Sequence, residues 1–250
     1  MESIKNKVAL VTGGAMGIGK ATALLLGQHG AKVMVTDINK EKGQETAQLI
    51  NDAGGYAKFY TLDVSKKEAV TQVCKAIFTT EGSLDLAVNN AGVGGAMAPM
   101  HLVKFADWER TIGICLSGVF FCMQEELKYM LAKGGGKIVN ISSLAGLNGV
   151  ATGSVYSTAK HGVLGLTRSA ALEYGAYNVR INAVCPGFIQ TAILDDVPQK
   201  IIDYSTNIRV PMKRIGKPEE VANTILWLLS DASSYINGEN LVVDGGFNAG

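Results

Sequence analysis

The sequence predicts an α/β fold: a single doubly wound domain over residues 1–250, with helices on both faces of a seven-stranded parallel sheet. Three observations lead there. Short apolar runs of strand type alternate with helical segments along the whole chain, which is the pattern of a parallel sheet. A glycine-rich turn, Thr12-Gly-Gly-Ala-Met-Gly-Ile-Gly19, joins the first strand to the first helix. Polar residues recur at the ends of successive predicted strands, where ligands lie in open parallel sheets.

Each element has its own signal. Val8–Val11 is the first strand, and the helix after Gly19 carries Ala21, Leu24, Leu25 and Leu26 before Gly30 stops it. Lys32–Thr36 is the second strand and ends at Asp37. A helix near 40–53 closes at Gly54-Gly55, and Tyr56–Thr61 is the third strand, leading to Asp63-Val64. Val70, Val73 and Ile77 place a helix over 66–80, and Leu84–Val88 is a fourth strand ending in Asn89-Asn90-Ala91-Gly92. Residues 106–132 read as one long buried helix with Trp108, Ile112, Cys115, Val119, Met123 and Leu127 on its apolar face. Lys137–Ser142 is the fifth strand and delivers Ser143. A second long helix, 155–175, has small residues that permit close packing by another helix, and the sixth strand, Asn178–Cys185, breaks at Pro186-Gly187. Residues from about 188 to 215 are weakly patterned and read either as a substrate lid or as a small packing subdomain. Pro218 opens the last helix, and Gly238–Gly246 holds the seventh strand with its turn.

Composition narrows the function. At 250 residues, 47% hydrophobic and 18% charged, the chain can bury a sizeable core. Its net charge of +1 gives no electrostatic reason to expect nucleic acid or a membrane surface as partner. No apolar run approaches the roughly 18 residues of a span, and Met1 to Lys7 lacks a signal-peptide core. Cys74, Cys115, Cys122 and Cys185 show no ligand spacing, and His29, His101 and His161 are scattered. The expectation is a cytoplasmic protein with reduced thiols and no metal.

Strand, glycine turn, helix, strand and acid within about 30 residues is the Rossmann-type arrangement for a dinucleotide. Glycines let the backbone approach a pyrophosphate, and free N–H groups at the helix start attract its charge. Asp37 follows Gly19 by eighteen residues, near the spacing for an acid on the adenosine ribose. Its carboxylate would repel a 2′-phosphate, and Met16 in the turn offers no cation, so NAD(H) is favoured. Lys40 and Lys42 leave NADP(H) open, and Asp37 could instead cap the following helix. Tyr156 and Lys160 lie four apart on one helix face. An ammonium stabilises a phenolate, which suits that tyrosine to passing a proton to or from an oxygen held by a serine such as Ser143.

Together, Thr12-Gly-x-x-x-Gly17-x-Gly19, Asp63-Val64, Asn89-Asn90-Ala91-Gly92, Ser143, Tyr156-x-x-x-Lys160 and Pro186-Gly187-x-x-x-Thr191 resemble a short-chain dehydrogenase/reductase over the full length. The resemblance implies roles. Tyr156 would be the acid in carbonyl reduction and the base in alcohol oxidation, Ser143 would hydrogen-bond the substrate oxygen, and Lys160 would bind the nicotinamide ribose and ease the tyrosine proton away. Gly13, Gly17, Ile18 and Gly19 would line the pyrophosphate, Asp37 the adenosine ribose, Asp63 and Val64 the adenine, and Asn89 and Gly92 the neighbouring ribose region. Met16, Ile38 and Ala91 would also touch the cofactor, and Pro186, Gly187, Ile189 and Thr191 would secure its nicotinamide end. Gly94, Gly95, Leu144, Val150, Phe188 and Ile193 would shape an apolar pocket for a small carbonyl or alcohol. Relatives are commonly tetramers packed through the long helices.

One position departs from that pattern. Many relatives carry asparagine where this chain has Cys115, and that asparagine is thought to hold a water linked to the lysine. A thiol holds water poorly, which implies a slower or rerouted proton relay, or else Cys115 is simply core. The leading expectation is an oxidoreductase of secondary alcohols and ketones. An NADPH-dependent 3-oxoacyl-thioester reductase shares the skeleton, with Lys200, Arg209, Lys213 and Arg214 as a candidate carrier patch. A non-catalytic dinucleotide-binding protein is the alternative from another class, opposed by the intact Ser143, Tyr156 and Lys160.

Overall fold

Continuous burial along the inner strands shows that the sheet is covered on both sides. In the computed structural model, which describes residues 2–249 except 195, 196, 198 and the side chain of Ile193, the chain runs β1 (Val8–Thr12), α1 (Gly17–Gln28), β2 (Lys32–Asp37), α2 (Lys40–Asp52), β3 (Tyr56–Thr61), α3 (Lys67–Glu81) and β4 (Leu86–Asn89). It continues through α4 (Phe105–Ile112), α5 (Gly118–Ala132), β5 (Gly136–Ile141), α6 (Ser154–Tyr174), β6 (Val179–Pro186), α7 (Gln199–Tyr204), α8 (Pro218–Leu229) and β7 (Asn240–Val243). The seven strands lie in the order β3-β2-β1-β4-β5-β6-β7, with every neighbouring pair parallel. Ala9, Val11, Val33 and Val35 face a core shared with Leu26, Ile50, Val221 and Ile225 of α1, α2 and α8. Leu10 and Met34 face the opposite side, toward Val70 and Ile77 of α3 and Cys122 of α5. A strand buried on both faces has to be apolar throughout, which is why β1 reads Val-Ala-Leu-Val.

Local chemistry sets the helix ends. The Asn39 side chain caps α2 by accepting from Lys42 N at 3.1 Å, so the capping role that Asp37 could have taken belongs to Asn39. Gly82, at φ +76°, ends α3 in the left-handed conformation. The guanidinium of Arg180 on β6 donates to the carbonyls of Leu228 and Ser230, both at 2.9 Å, and closes the end of α8.

The expected continuous helix over 106–132 is instead α4, a π-helical turn at Gly113–Ser117, and α5. A residue added to one turn rotates everything before it by about 100° relative to everything after it. Cys115, Val119, Met123 and Leu127 are therefore buried, whereas Trp108, expected on the same face, is exposed. The small-residue face of α6 is also divided. A side chain at Gly162 would meet Leu116 of the π turn, while Gly165 opens onto free space. The segment after β6 is not structureless: Ile189 bridges to Gly216, and α7 with a π turn at Ser205–Arg209 buries Ile202 and Val210.

Candidate active site

The strand order reverses between β1 and β4, and the crevice at that switch point is where the glycine turn sits. Gly13 and Gly17 take φ of +63° and +53°. A Cβ on Gly19 would lie 2.1 Å from the Gly13 carbonyl oxygen, so no other residue fits the start of α1. The turn is tied across the crevice. Thr12 Oγ1 accepts from the backbone N–H groups of Asn90 and Ala91 at 3.0 and 3.1 Å. The Asn90 side chain donates to the carbonyls of Thr12 and Gly13 at 3.0 and 3.1 Å. Thr191 closes the cradle from the far side, its Cγ2 being 3.0 Å from where a Gly17 Cβ would stand. Space is thus kept for a group that needs close approach to backbone N–H, as a pyrophosphate does.

Asp37 ends β2 beside this turn. One carboxylate oxygen accepts from Ala15 N at 3.0 Å and the other from Asn39 N at 2.9 Å. Each retains a further lone-pair direction for a ribose hydroxyl. Met16 and Ile38 flank it, 43% and 72% exposed, as apolar groups left at the open edge. Lys42 Nζ lies 3.2 Å from Met16 Sδ, which brings one cation to the mouth. Asp63 accepts from Ser65 N and Oγ at 3.0 and 2.7 Å, while Val64 is buried against Gly118. Ile18 packs on the core at the start of α1.

The two asparagines after β4 have separate tasks. Asn89, only 2% exposed, turns its side chain into the core and donates to Glu126 and Asn140, both at 3.0 Å. Asn90, to which the sequence reading gave no task of its own, is the one that holds the glycine turn. Gly92 faces the space between Cys115 Sγ and Lys160 Nζ, each 3.7 Å from its would-be Cβ.

Ser143, Tyr156 and Lys160 meet at this same edge. The Lys160 ammonium is 3% exposed, donates to the Ile141 carbonyl at 2.7 Å and sits 5.7 Å from the centre of the Tyr156 ring. Its helix is pinned to β5 because Ser142 Oγ donates to the Lys160 carbonyl at 2.9 Å. Ser143 leaves β5 extended and its Oγ accepts from Ala145 N at 3.1 Å, which leaves the hydroxyl hydrogen uncommitted among the described residues. Cys115 reaches the loop beyond Gly92. Its sulfur lies 3.3 Å from Val93 N and 3.4 Å from Val93 O, so both functions of the thiol go to one backbone unit.

Around Tyr156 the predicted pocket residues come together in part. Gly95 is the closest, since a Cβ there would stand 3.0 Å from Tyr156 Cβ. The Gly94–Pro99 loop is stitched to the loop holding Val150 by Ala98 N to Thr152 O at 2.9 Å. Leu144 is buried next to Gly187, while Val150 is exposed and the Ile193 side chain lies outside the described residues. Pro186 is buried at the end of β6, and Phe188 meets Phe247 with ring centres 5.9 Å apart. Phe247 is a partner of Phe188 that no sequence pattern announced.

Comparison with known proteins agrees with this arrangement. The family described as Enoyl-(Acyl carrier protein) reductase matches residues 13–248. A cis-4-hydroxycyclohexanecarboxylate dehydrogenase of Sinomonas cyclohexanicum is 42% identical over 99% of both chains. A cyclohexanol dehydrogenase of Acinetobacter sp. (strain SE19) is also 42% identical, over 98% of this chain and 96% of its own. A crystal structure of a putative NAD(P)-dependent gluconate 5-dehydrogenase from Beutenbergia cavernae, with NADP bound at low occupancy, superposes with a TM-score of 0.94 at 33% identity, covering 99% of both chains. A switch-point cradle, a Tyr–Lys pair on the helix beside it and relatives matched end to end leave one conclusion: the chain belongs to the short-chain dehydrogenase/reductase family and is an NAD(P)-dependent oxidoreductase acting on CH–OH groups.

Proposed function

We propose that the protein interconverts secondary alcohols and ketones on a small carbocycle, uses NAD(H) in preference to NADP(H), and moves the proton through Tyr156. The observation that carries this is the buried Lys160 ammonium, fixed by the Ile141 carbonyl under the Tyr156 ring at the cofactor edge. Gly13, Gly17 and Gly19 would cradle the pyrophosphate, Asp37 would hold the adenosine ribose between Met16 and Ile38, and Thr191 would close over it. Bound there, the nicotinamide supplies the hydride acceptor for alcohol oxidation or the hydride donor for ketone reduction. Ser143 gives its free hydroxyl hydrogen to the substrate oxygen. Tyr156 takes the proton from that oxygen in oxidation and returns it in reduction. Lys160 spends one N–H on Ile141 and has two left, for a ribose hydroxyl and for the phenolate side. Cys115, with its thiol committed to Val93, serves to pin the loop over Lys160, and the proton's exit runs past it.

The thioester-reductase reading draws on the carrier-protein description of the matching family. Its basic patch is weakened, because Arg214 forks onto Glu220 at 2.7 and 2.6 Å and Lys213 donates to the Asn207 carbonyl. The four cysteines are buried and free, which fits a cytoplasmic setting. Exposed Phe120 on α5, together with open space at Gly165 on α6, suits a homotetramer through α5 and α6.

A panel of cyclic secondary alcohols and ketones, followed by absorbance of the reduced nicotinamide, tests the reading. Turnover of cyclohexanol with NAD, at a kcat/KM about tenfold or more above that with NADP, is the expected result, about 1.4 kcal/mol of discrimination. Asp37→Asn keeps an acceptor for the turn and removes the charge, so it should bring the two cofactors to within about threefold of each other. A wild-type preference for NADP would refute the role of Asp37.

A further inference from the structure

Arg209 stands apart from the other lid cations. Its guanidinium lies 4.2 Å from the centre of the Phe247 ring, and Phe247 packs on Phe188. Among the described residues it has no carboxylate or carbonyl partner, although Arg214 nearby is forked onto Glu220 and Arg180 is spent on three carbonyls. Its position is fixed from below. Met212 N donates to the Gly245 carbonyl at 3.2 Å, and Gly187 N donates to the Val243 carbonyl at 2.9 Å. The turn at 244–247 thereby joins the root of the lid to the backbone just after Pro186, and Asn148 donates to Asn248 at 2.7 Å from the loop after Ser143. Arg209 is thus seated over the Phe247–Phe188 pair at the exposed root of the lid, with its edge unspent among the described residues.

A guanidinium stacked by its face keeps its N–H groups in its own plane, parallel to the ring, pointing outward as a fork. That fork matches a planar carboxylate in two hydrogen bonds. We propose that Arg209 is a specificity residue that grips a carboxylate borne on the ring of the alcohol or ketone, away from the reacting carbon. The aromatic pair Phe188 and Phe247, with Leu144, would hold the apolar ring between that fork and Tyr156. The inference rests on the alcohol–ketone reading above and narrows its substrate class to anionic carbocycles.

The test compares 4-hydroxycyclohexanecarboxylate with cyclohexanol, with saturating NAD, in wild type, Arg209→Gln and Arg209→Lys. Calorimetric binding of cyclohexanecarboxylate, which lacks the carbinol, is measured alongside. Wild type should favour the carboxylate in kcat/KM. Arg209→Gln should cut the ratio of the two kcat/KM values by roughly 10- to 100-fold, the loss expected for a charge-assisted contact, mainly through KM, and weaken cyclohexanecarboxylate binding in parallel. Arg209→Lys should fall between them. Equal losses on both substrates would show that Arg209 only packs the lid, and unchanged kcat/KM on both would remove its role altogether; either result overturns the proposal. If wild type oxidises neither alcohol yet binds cyclohexanecarboxylate through Arg209, the anion site stands and the reaction assignment falls. If it oxidises cyclohexanol with no preference for the carboxylate, the reaction stands and the anion site falls.

Discussion

Tyr156→Phe should lower kcat by about 10³-fold, within the 10²–10⁴ that a positioned acid–base group contributes, while the dissociation constant for NADH stays within about threefold. The substitution removes one oxygen and keeps the ring beside the Lys160 ammonium and the Cβ against which Gly95 is set. Cradle, Asp37 and Lys160 are left in place, so the dinucleotide has the same groups to bind. Lys160→Met should differ: on the proposed role its ammonium would serve both the phenol and a ribose hydroxyl, so turnover and cofactor affinity should fall together. Stopped-flow rates and fluorescence titration of NADH separate these outcomes. A Tyr156→Phe enzyme that retains a tenth of the wild-type rate would mean the proton travels by another group.

A second large effect concerns stability rather than turnover. Glu126 on α5 is wholly buried, and burial pushes its carboxyl up to about 8, against the hydrogen bond from Asn89, which favours ionisation. Among the described residues its Oε1 and the Oδ1 of Asn89 have no partner, so the neutral acid is the form the site accommodates. An acid whose folded pKa is raised keeps its proton in the native state while the unfolded chain releases it. The contribution of Glu126 to stability therefore falls as pH rises from about 4.5 to about 8, by on the order of 1.4 kcal/mol per unit, and is constant above that. Glu126→Gln mimics the neutral acid. Wild type and variant should unfold alike near pH 4.5, and at pH 8 the variant should be more stable by a few kcal/mol. Urea titrations across that window measure the divergence, and parallel curves would show that Glu126 is ionised in the fold.

Residues whose signal is local were readable before the structure. The apolar strands, the glycines that permit a sharp turn, and Tyr156 with Lys160 one helical turn apart all announce themselves within a few positions. Residues that work through distant partners did not. Nothing near 113–117 marks a π turn, because its effect shows only as a phase slip between Trp108 and Val119. Asn89 and Asn90 are the same residue type side by side, and only the pleat of β4 decides which faces the core. Glu126 did leave a trace, as one of two adjacent acids, Glu125 and Glu126, among Cys122, Met123, Leu127 and Met130 on α5. Phe247 left none, since its partners are set by where the 244–247 turn returns to the sheet.

The ties from Thr12 and Gly13 to Asn90 and Ala91, two of them through the Asn90 side chain, span 77 to 79 residues of chain. Closing a loop of that length costs entropy before any contact rewards it. During folding the glycine turn is therefore an ordinary flexible linker until β4 has docked beside β1. A fragment ending at β3 would carry the most recognisable motif of the chain and yet lack the cradle. Dinucleotide binding is in that sense a report on the assembled sheet, and affinity for it measures how completely the domain has folded.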